Sequence, residues 1–518
     1  MSKTDFETKD IPYRDFNNEK TPSQTSVVGQ TLTVDDVFSK IGFGSYQVKA
    51  YIILGFTLMS DGAESLVLSI LQNILKNEWQ LTPTQIEMIG AGIFAGFFLG
   101  SLLSGRVSDV YGRRKPLIYL TFVLYVVAFA SAFAPNYPWL IAMRSVYGFL
   151  VGIQYPMCFT YMAEITPKES RGRWLVLGGL FFTFGELMTC LGAFFTLDGI
   201  SSGNWHLLLV IVAQPCLLCW LGVVFFLYES PRYLIASKKE AREGAEILNK
   251  IAKQNSADVN LGDADVIALE NWLKSNEVLK DKKMGRLQDL FKAESKFVTI
   301  FLWPVWFILS LTYYGMVYIL PQIISELYPD SGDADNLWSV TLPVLAEIPS
   351  VILGVLVIER GTFGRKTSMV LGFLLTSTSC FLAVFTPFFN LWVTGARGVL
   401  NGVFTIVTPY TTELYPTTVR ATGLGMASSF SRIGGALMPW VTQKLFSIGP
   451  KVPFLGFGVF CVVGAICCGL IPYDTTKREL DFNYSTVKSW ASVLVKKKED
   501  SQSIKAKENS ESLMKNQH

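Results

Sequence analysis

Long apolar blocks recur along this chain at the length of a membrane crossing, and no other feature of the sequence restricts its fold as severely. Each block runs for roughly 20 to 28 residues, which carries an α-helix at about 1.5 Å per residue across a hydrocarbon layer of about 30 Å. The blocks fall at 48–76, 86–109, 116–134, 138–165, 172–198 and 204–228, and again at 297–325, 337–358, 366–387, 389–414, 421–446 and 452–473. The expected fold is an all-α membrane protein with twelve transmembrane helices.

Half of the 518 residues are hydrophobic and 17% are charged. A soluble chain of this length would need more polar surface than that. The first 47 residues are polar. The apolar block that follows is too long for a signal-peptide core and has no small-residue cleavage site behind it, so it is expected to remain as a span. All eight cysteines lie within apolar blocks, which suits small packing residues better than a disulfide framework. Two histidines, His206 and His518, cannot build a histidine metal site. No Gly-rich phosphate loop and no nucleophile motif is visible, so neither an enzyme nor an ATP-driven pump is supported. No cofactor, metal or nucleic-acid partner is expected. A net charge of +3 carries no information about partners; the placement of the charges does.

Lys and Arg collect in alternate loops: Arg113, Arg114, Lys115, Lys168, Arg171, Arg173, the segment 229–295, then Arg360, Arg365, Lys366 and Arg420. The intervening loops are poor in both, and one carries Glu326, Asp330, Asp333 and Asp335. Basic loops face the cytosol, which places both termini and the central loop there. The sequon at Asn483 is then cytosolic as well. The domain reading is a cytosolic tail with a short pre-helix (1–47), a first six-helix bundle (48–228), a central loop (229–295), a second bundle (296–473) and a charged tail of disordered composition (474–518).

The halves repeat. Gly112-Arg113-Arg114 returns as Gly364-Arg365-Lys366, an offset of 364 − 112 = 252. Tyr161, Glu164, Pro167 and Arg171 return as Tyr410, Glu413, Pro416 and Arg420, an offset of 410 − 161 = 249. Two such halves related about the membrane normal are a transporter architecture, with the solute site at their interface near mid-membrane.

The loop after the second span, Gly105-Arg-Val-Ser-Asp109-Val-Tyr-Gly112-Arg113-Arg114-Lys115, resembles the signature of the major facilitator superfamily. The resemblance implies a cytosolic latch, remade during transport, that takes in Glu164, Arg171, Glu359, Arg365, Glu413 and Arg420. The second copy departs from the pattern, since Glu359 stands five residues before Gly364 where Asp109 stands three before Gly112. Glu229-Ser-Pro231-Arg232 closes the sixth span as in sugar porters, organic-ion transporters and synaptic-vesicle-type transporters, with Tyr228 where a proline is usual. Arg144 with Gly148 and Gly152 would let another helix pack closely on the fourth span. The stretch Val34-Asp35-Asp36 to Gly44, the segment Asp61-Gly-Ala-Glu64, and the run Tyr410-Thr-Thr-Glu413-Leu-Tyr-Pro416 through Ser431-Arg432-Ile-Gly434 look like the synaptic-vesicle-2-related branch. These matches extend from about residue 33 to 475.

Ionisable groups at mid-bilayer cost about 2.5–3.5 kcal/mol each on insertion scales, so they persist when paired, solvated or used. Asp61 and Glu64 share one face of the first span. Glu186 centres the fifth, Glu347 the eighth and Arg432 the eleventh, while Arg144 and Arg397 lie off-centre. One reading makes Asp61, Glu64, Glu186 and Glu347 proton carriers, Arg432 the contact for an anionic solute, and Trp303, Trp306, Tyr313 and Tyr314 a stacking surface. The plainer reading pairs Asp61 or Glu64 with Arg144 or Arg432 as structural ion pairs and leaves the aromatics to packing. The expected function is secondary active transport of a small organic ion or metabolite by alternating access, coupled to protons, by a monomer in the plasma membrane or an intracellular vesicle membrane. The alternatives are a non-transporting trafficking or sensor protein that keeps the fold, and a sugar porter. The seventh span lacks the Gln-Gln and Gln-x-Ser-Gly-x-Asn amides of the latter.

Overall fold

The structure, a computed structural model, describes residues 32–472 and 474, apart from 201, 281–286, 293–294, 330–331, 361–363 and 416–418. The readings made for the far tails, including the Asn483 sequon, lie outside the described residues. The long helices are α1 (Ser45–Glu78), α2 (Pro83–Tyr111), α3 (Arg114–Ser131), α4 (Tyr137–Ile165), α5 (Arg171–Gly178, then Leu180–Thr196) and α6 (Trp205–Phe226). After a cap of short helices come α7 (Ser295–Leu327), α8 (Asp333–Leu345, then Glu347–Arg360), α9 (Arg365–Phe385), α10 (Phe389–Leu414), α11 (Arg420–Phe446) and α12 (Val452–Leu470). Among the described residues, nine of these are long and apolar enough to cross a membrane. The three below that standard, α4, α10 and α11, are those that carry Arg144, Arg397 and Arg432. The chain is a multi-pass membrane protein.

Local sequence explains where helices begin and break. Thr82 caps α2 through its side chain, and Pro83 occupies the first turn, where a missing N–H costs nothing. Gly112 ends α2 at φ +88°, a region that disfavours any Cβ. Each of α5 and α8 is interrupted by a single residue, Gly179 and Ala346. Pro343, shortly before the α8 break, removes one ladder hydrogen bond there. Glu347 follows the break directly.

The packing repeats between halves. Within the first six helices α2 packs on α4, α1 on α5, and α3 on α4 and α6; within the second six α8 packs on α10, α7 on α11, and α9 on α10 and α12. The halves meet through α1–α7, α2–α11 and α5–α8. Contact between α2 and α4 is backbone-close: a Cβ on Gly148 would strike the carbonyl of Ile93, and one on Gly152 that of Phe97.

The apolar core is not shared evenly between the two ends. Call the end with Arg113 and Arg365 basic, and the end with Glu326 acidic. One large cluster unites the second half with acidic-end residues of the first, among them Leu66, Leu71, Ile86 and Phe94. A separate cluster joins the basic end of the first half to the helix Val34–Ile41 and to the central segment, from Val34 and Leu58 to Tyr161 and Ile251. The halves are joined at the acidic end, where Gln72 Nε2 donates to Tyr318 O at 2.7 Å and Tyr318 Oη donates to Ile86 O at 3.3 Å. On the α5–α8 side the seam continues to the basic end through Val176, Val351 and Val355.

Candidate functional site

Midway along α1, Asp61 and Glu64 project into the interface and are both buried. Their surroundings differ. Glu64 is ion-paired with Arg144 of α4, in the same half. Asp61 has no hydrogen bond and no ion pair within 4.0 Å for its carboxylate among the described residues. It lines a cavity of about 20 Å³, room for about one water, lined also from the first half by Glu64, Phe94, Phe97 and Tyr147 and from the second by Tyr314 and Met438. Arg432 of α11, in the other half, is an opposing charge that acts on it. That guanidinium has crossed the seam: its Cζ lies 3.5 Å over the Phe97 ring and 5.4 Å from that of Tyr155, a desolvated cation–π arrangement.

A second cluster sits between α5, α7, α8 and α10. Arg397 pairs with Glu186 across the seam. Its Nε donates to Glu347 Oε1 within its own half at 2.8 Å. Tyr313 Oη donates to Glu347 Oε1 at 2.9 Å, and Thr183 Oγ1 of α5 donates to Glu347 Oε2 at 3.0 Å. Glu186, Glu347 and Arg397 are each 0% exposed. Burial of that completeness is tolerated only with counter-charges and hydrogen bonds in place.

The aromatic residues are divided among these environments. Tyr314 lines the Asp61 cavity, whereas Tyr313 is committed to Glu347. Trp306 Nε1 donates to Thr411 Oγ1 at 2.9 Å, and Trp303 stacks on Phe430 at 4.5 Å. Neither tryptophan lines the cavity.

At the basic end the signature loop is tied into its own half. The turn at Gly112 aims the backbone N–H groups of Arg113 and Arg114 at Glu229 Oε1, at 2.8 and 3.1 Å. A carboxylate there satisfies orphan donors at the start of α3 and meets its dipole. A Cβ on Gly112 would sit 2.7 Å from Glu229 Oε2. Pro231 starts the next short helix. Arg113 pairs with Glu164 at 2.9 Å and lies 3.7 Å from the exposed Asp109, and Arg114 donates to Val224 O at 2.9 Å. Gly105 has nothing near its Cβ position. Asp35 of the helix Val34–Ile41 pairs with Arg171 and Arg232. Burial pushes the Asp35 carboxyl up, but the two guanidiniums outweigh it and hold the group below its usual range. In the second half Arg365 pairs with Glu413. The side chains of Glu359 and Arg420 lie outside the described residues. Each of these pairs stays within one half.

The family model described as sugar (and other) transporter matches residues 23–483. The chain belongs to that family, within the major facilitator superfamily. This member is 30% identical over 491 residues to the synaptic vesicle 2-related protein of Xenopus laevis, covering 90% of this chain and 85% of that protein. It is 32% identical over 498 residues to the organic cation/carnitine transporter 7 of Arabidopsis thaliana, covering 88% of this chain and 97% of that protein. The xylose transporter XylE from E. coli, in a partially occluded inward-open conformation, superposes with a TM-score of 0.65 at 17% identity, over 82% of this chain and 98% of XylE; this likeness concerns the fold. The family is one of transporters, not enzymes.

Sequence reasoning left Arg397 without a role, although a signal was present. Arg144 and Arg397 are 397 − 144 = 253 residues apart, beside offsets of 252 and 249 for the recognised repeats. Both sit on the fourth helix of their half, and both bind a buried carboxylate.

Proposed function

We propose that this family member is a proton-coupled secondary transporter of a small organic ion, working by alternating access from a cytosolic basic end. The observation that carries the reading is Asp61: a buried carboxylate without a bonding partner among the described residues, at a cavity lined by both halves, with Arg432 of the opposite half stacked on the Phe97 ring that lines the same cavity. A carboxylate so placed is free to exchange a proton or to meet a charged solute without dismantling a structural ion pair. Glu64 is not, because Arg144 depends on it. The small cavity fits a bundle closed around its centre, with the acidic end sealed by Gln72 and Tyr318. Basic loops on the other face support cytosolic termini, and the relatives named for synaptic vesicles and for organic cations support a vesicular or plasma membrane and a charged organic solute.

The test is uptake into liposomes that hold the full-length protein, after thermal-shift screening against amines, organic acids, nucleosides and vitamins selects a solute. An inward-directed proton gradient should accelerate uptake. Asp61→Asn should abolish the acceleration while leaving the melting temperature near that of the wild type. Solute flux that ignores the gradient removes the proton claim, and an Asp61→Asn variant with undiminished gradient-driven uptake removes the residue.

A further inference from the structure

The Glu186–Glu347–Arg397 cluster contains two carboxylates and one guanidinium, all 0% exposed. Its charge does not balance: the carboxylates contribute two negative charges and Arg397 one positive. Its hydrogen bonds do not balance either. Glu186 Oε1 is buried without a partner among the described residues, and so is one terminal nitrogen of Arg397. Glu347, by contrast, accepts from Arg397, Tyr313 and Thr183. Both carboxyl groups are held against the same guanidinium, Glu186 by a terminal nitrogen of Arg397 and Glu347 by its Nε at 2.8 Å. Two carboxylates cannot bond without a hydrogen between them, and like charges at that spacing in a dry site do not both ionise.

We propose that Glu186 and Glu347 hold one exchangeable proton between them, and that this proton is part of the bond joining the two halves at mid-membrane. A single proton neutralises the cluster and gives the Glu186 oxygen its partner, leaving the Arg397 nitrogen as the one donor of the cluster without a partner among the described residues. The titratable and charged groups that face the pair are Arg397 from α10, Tyr313 from α7 and Cys190 from α5; of these only Arg397 carries charge at neutral pH. The site is distinct from Asp61, which lies on α1 and turns to its own cavity.

The geometry states what happens to the proton when the seam opens. Glu186 belongs to the first half, while Glu347 and Arg397 belong to the second. When α5 and α8 part, the shared O–H bond breaks, its electron pair stays on the carboxylate, and the proton passes to entering water. Arg397 remains paired with Glu347, and Glu186 carries the single unneutralised negative charge into an aqueous opening. Rebinding of one proton restores a neutral cluster and lets the seam close. This use of the proton in a cycle rests on the transport reading above; the shared proton itself does not.

Infrared difference spectroscopy of the full-length protein in lipid nanodiscs tests it with the proton as probe. The wild type should show a protonated-carboxyl C=O band that shifts in D2O and disappears at alkaline pH. Glu186→Gln and Glu347→Gln should each remove that band, because one proton serves both groups, while Asp61→Asn should leave it. A band that survives both glutamine variants, that is lost in only one of them, or that is lost with Asp61→Asn overturns the assignment. Should a glutamine variant fail to fold, the wild type alone decides, since absence of any deuterium-sensitive carboxyl band rejects the shared proton. No transported solute is needed, so failure here leaves the Asp61 uptake experiment standing, and failure there leaves this one.

Discussion

Glu64 and Arg144 form their ion pair inside one half of the bundle, whereas Arg397 holds Glu347 in its own half and reaches across the seam to Glu186 in the other. Both arrangements set a buried arginine against a buried carboxylate, and the two arginines lie on helices related by the internal duplication, α4 and α10. A pair within one half moves as a rigid body when the halves rock, so it can hold a helix in place through the whole cycle. A cluster that spans the halves must be remade in each cycle, so its cost of opening belongs to the transport barrier. Asp61 stands between the two cases: it is buried beside the first pair but bound by neither cluster.

The comparison can be broken most forcefully at Arg397. Arg397→Ala strips the counter-charge from the buried Glu186 and Glu347 pair in a dry site, and breaking a buried pair costs about 3–5 kcal/mol. The expected result is loss of the monodisperse peak in size-exclusion chromatography. A stable, well-folded Arg397→Ala protein would mean that the carboxylates do not depend on it. Glu64→Gln strands Arg144, whose remaining guanidinium nitrogens have no partner among the described residues. This variant should lose about 3 kcal/mol. The double variant Glu64→Gln with Arg144→Gln should recover most of that loss in thermal denaturation, as coupled partners do. Asp61→Asn, by contrast, removes no bond and should shift stability by about 0.5 kcal/mol or less. An Asp61→Asn protein as unstable as Glu64→Gln would place Asp61 among the structural ion pairs.

The basic end offers smaller effects that sharpen the same contrast. Gly112→Ala puts a Cβ where φ is +88° and beside Glu229, and should cost about 1–2 kcal/mol from the left-handed backbone alone; a neutral result would show that the turn can rearrange away from Glu229. The weakest dependence is on pH. Asp35 is held below its usual range in the fold, so its contribution is present above the unfolded value near pH 3.9 and is lost as pH falls through the folded value. Thermal melts of wild type and Asp35→Asn should therefore differ near neutrality and converge in strong acid. Curves that stay parallel throughout would show that Arg171 and Arg232 do not act through this carboxylate.

How legible these features were follows from the range over which each is decided. The Gly112 turn and the Gly148 and Gly152 contacts could be anticipated because a positive φ or a backbone-close approach admits few residue types. Glu229 was visible as part of a motif, but its partner N–H groups lie more than a hundred residues away, at Arg113 and Arg114. Reading the seventh-span aromatics as one surface assumed that neighbours in sequence share an environment. On a helix, adjacent residues project about 100° apart, so Tyr313 turns to Glu347 while Tyr314 lines the Asp61 cavity.

The spacing of apolar blocks and the repeated loop motifs by themselves determined that this chain folds as a duplicated helical bundle in a membrane. Those properties depend on hydrophobic length and on local turn chemistry, and both are written within single segments. Tertiary structure alone decided that Glu64 takes Arg144, that Arg397 is shared between Glu186 and Glu347, and that Asp61 is left facing a cavity. The physical reason is that a buried charge chooses its partner by position in three dimensions. Helices far apart in sequence bring several equally suitable arginines and carboxylates within reach, and only their packing selects among them.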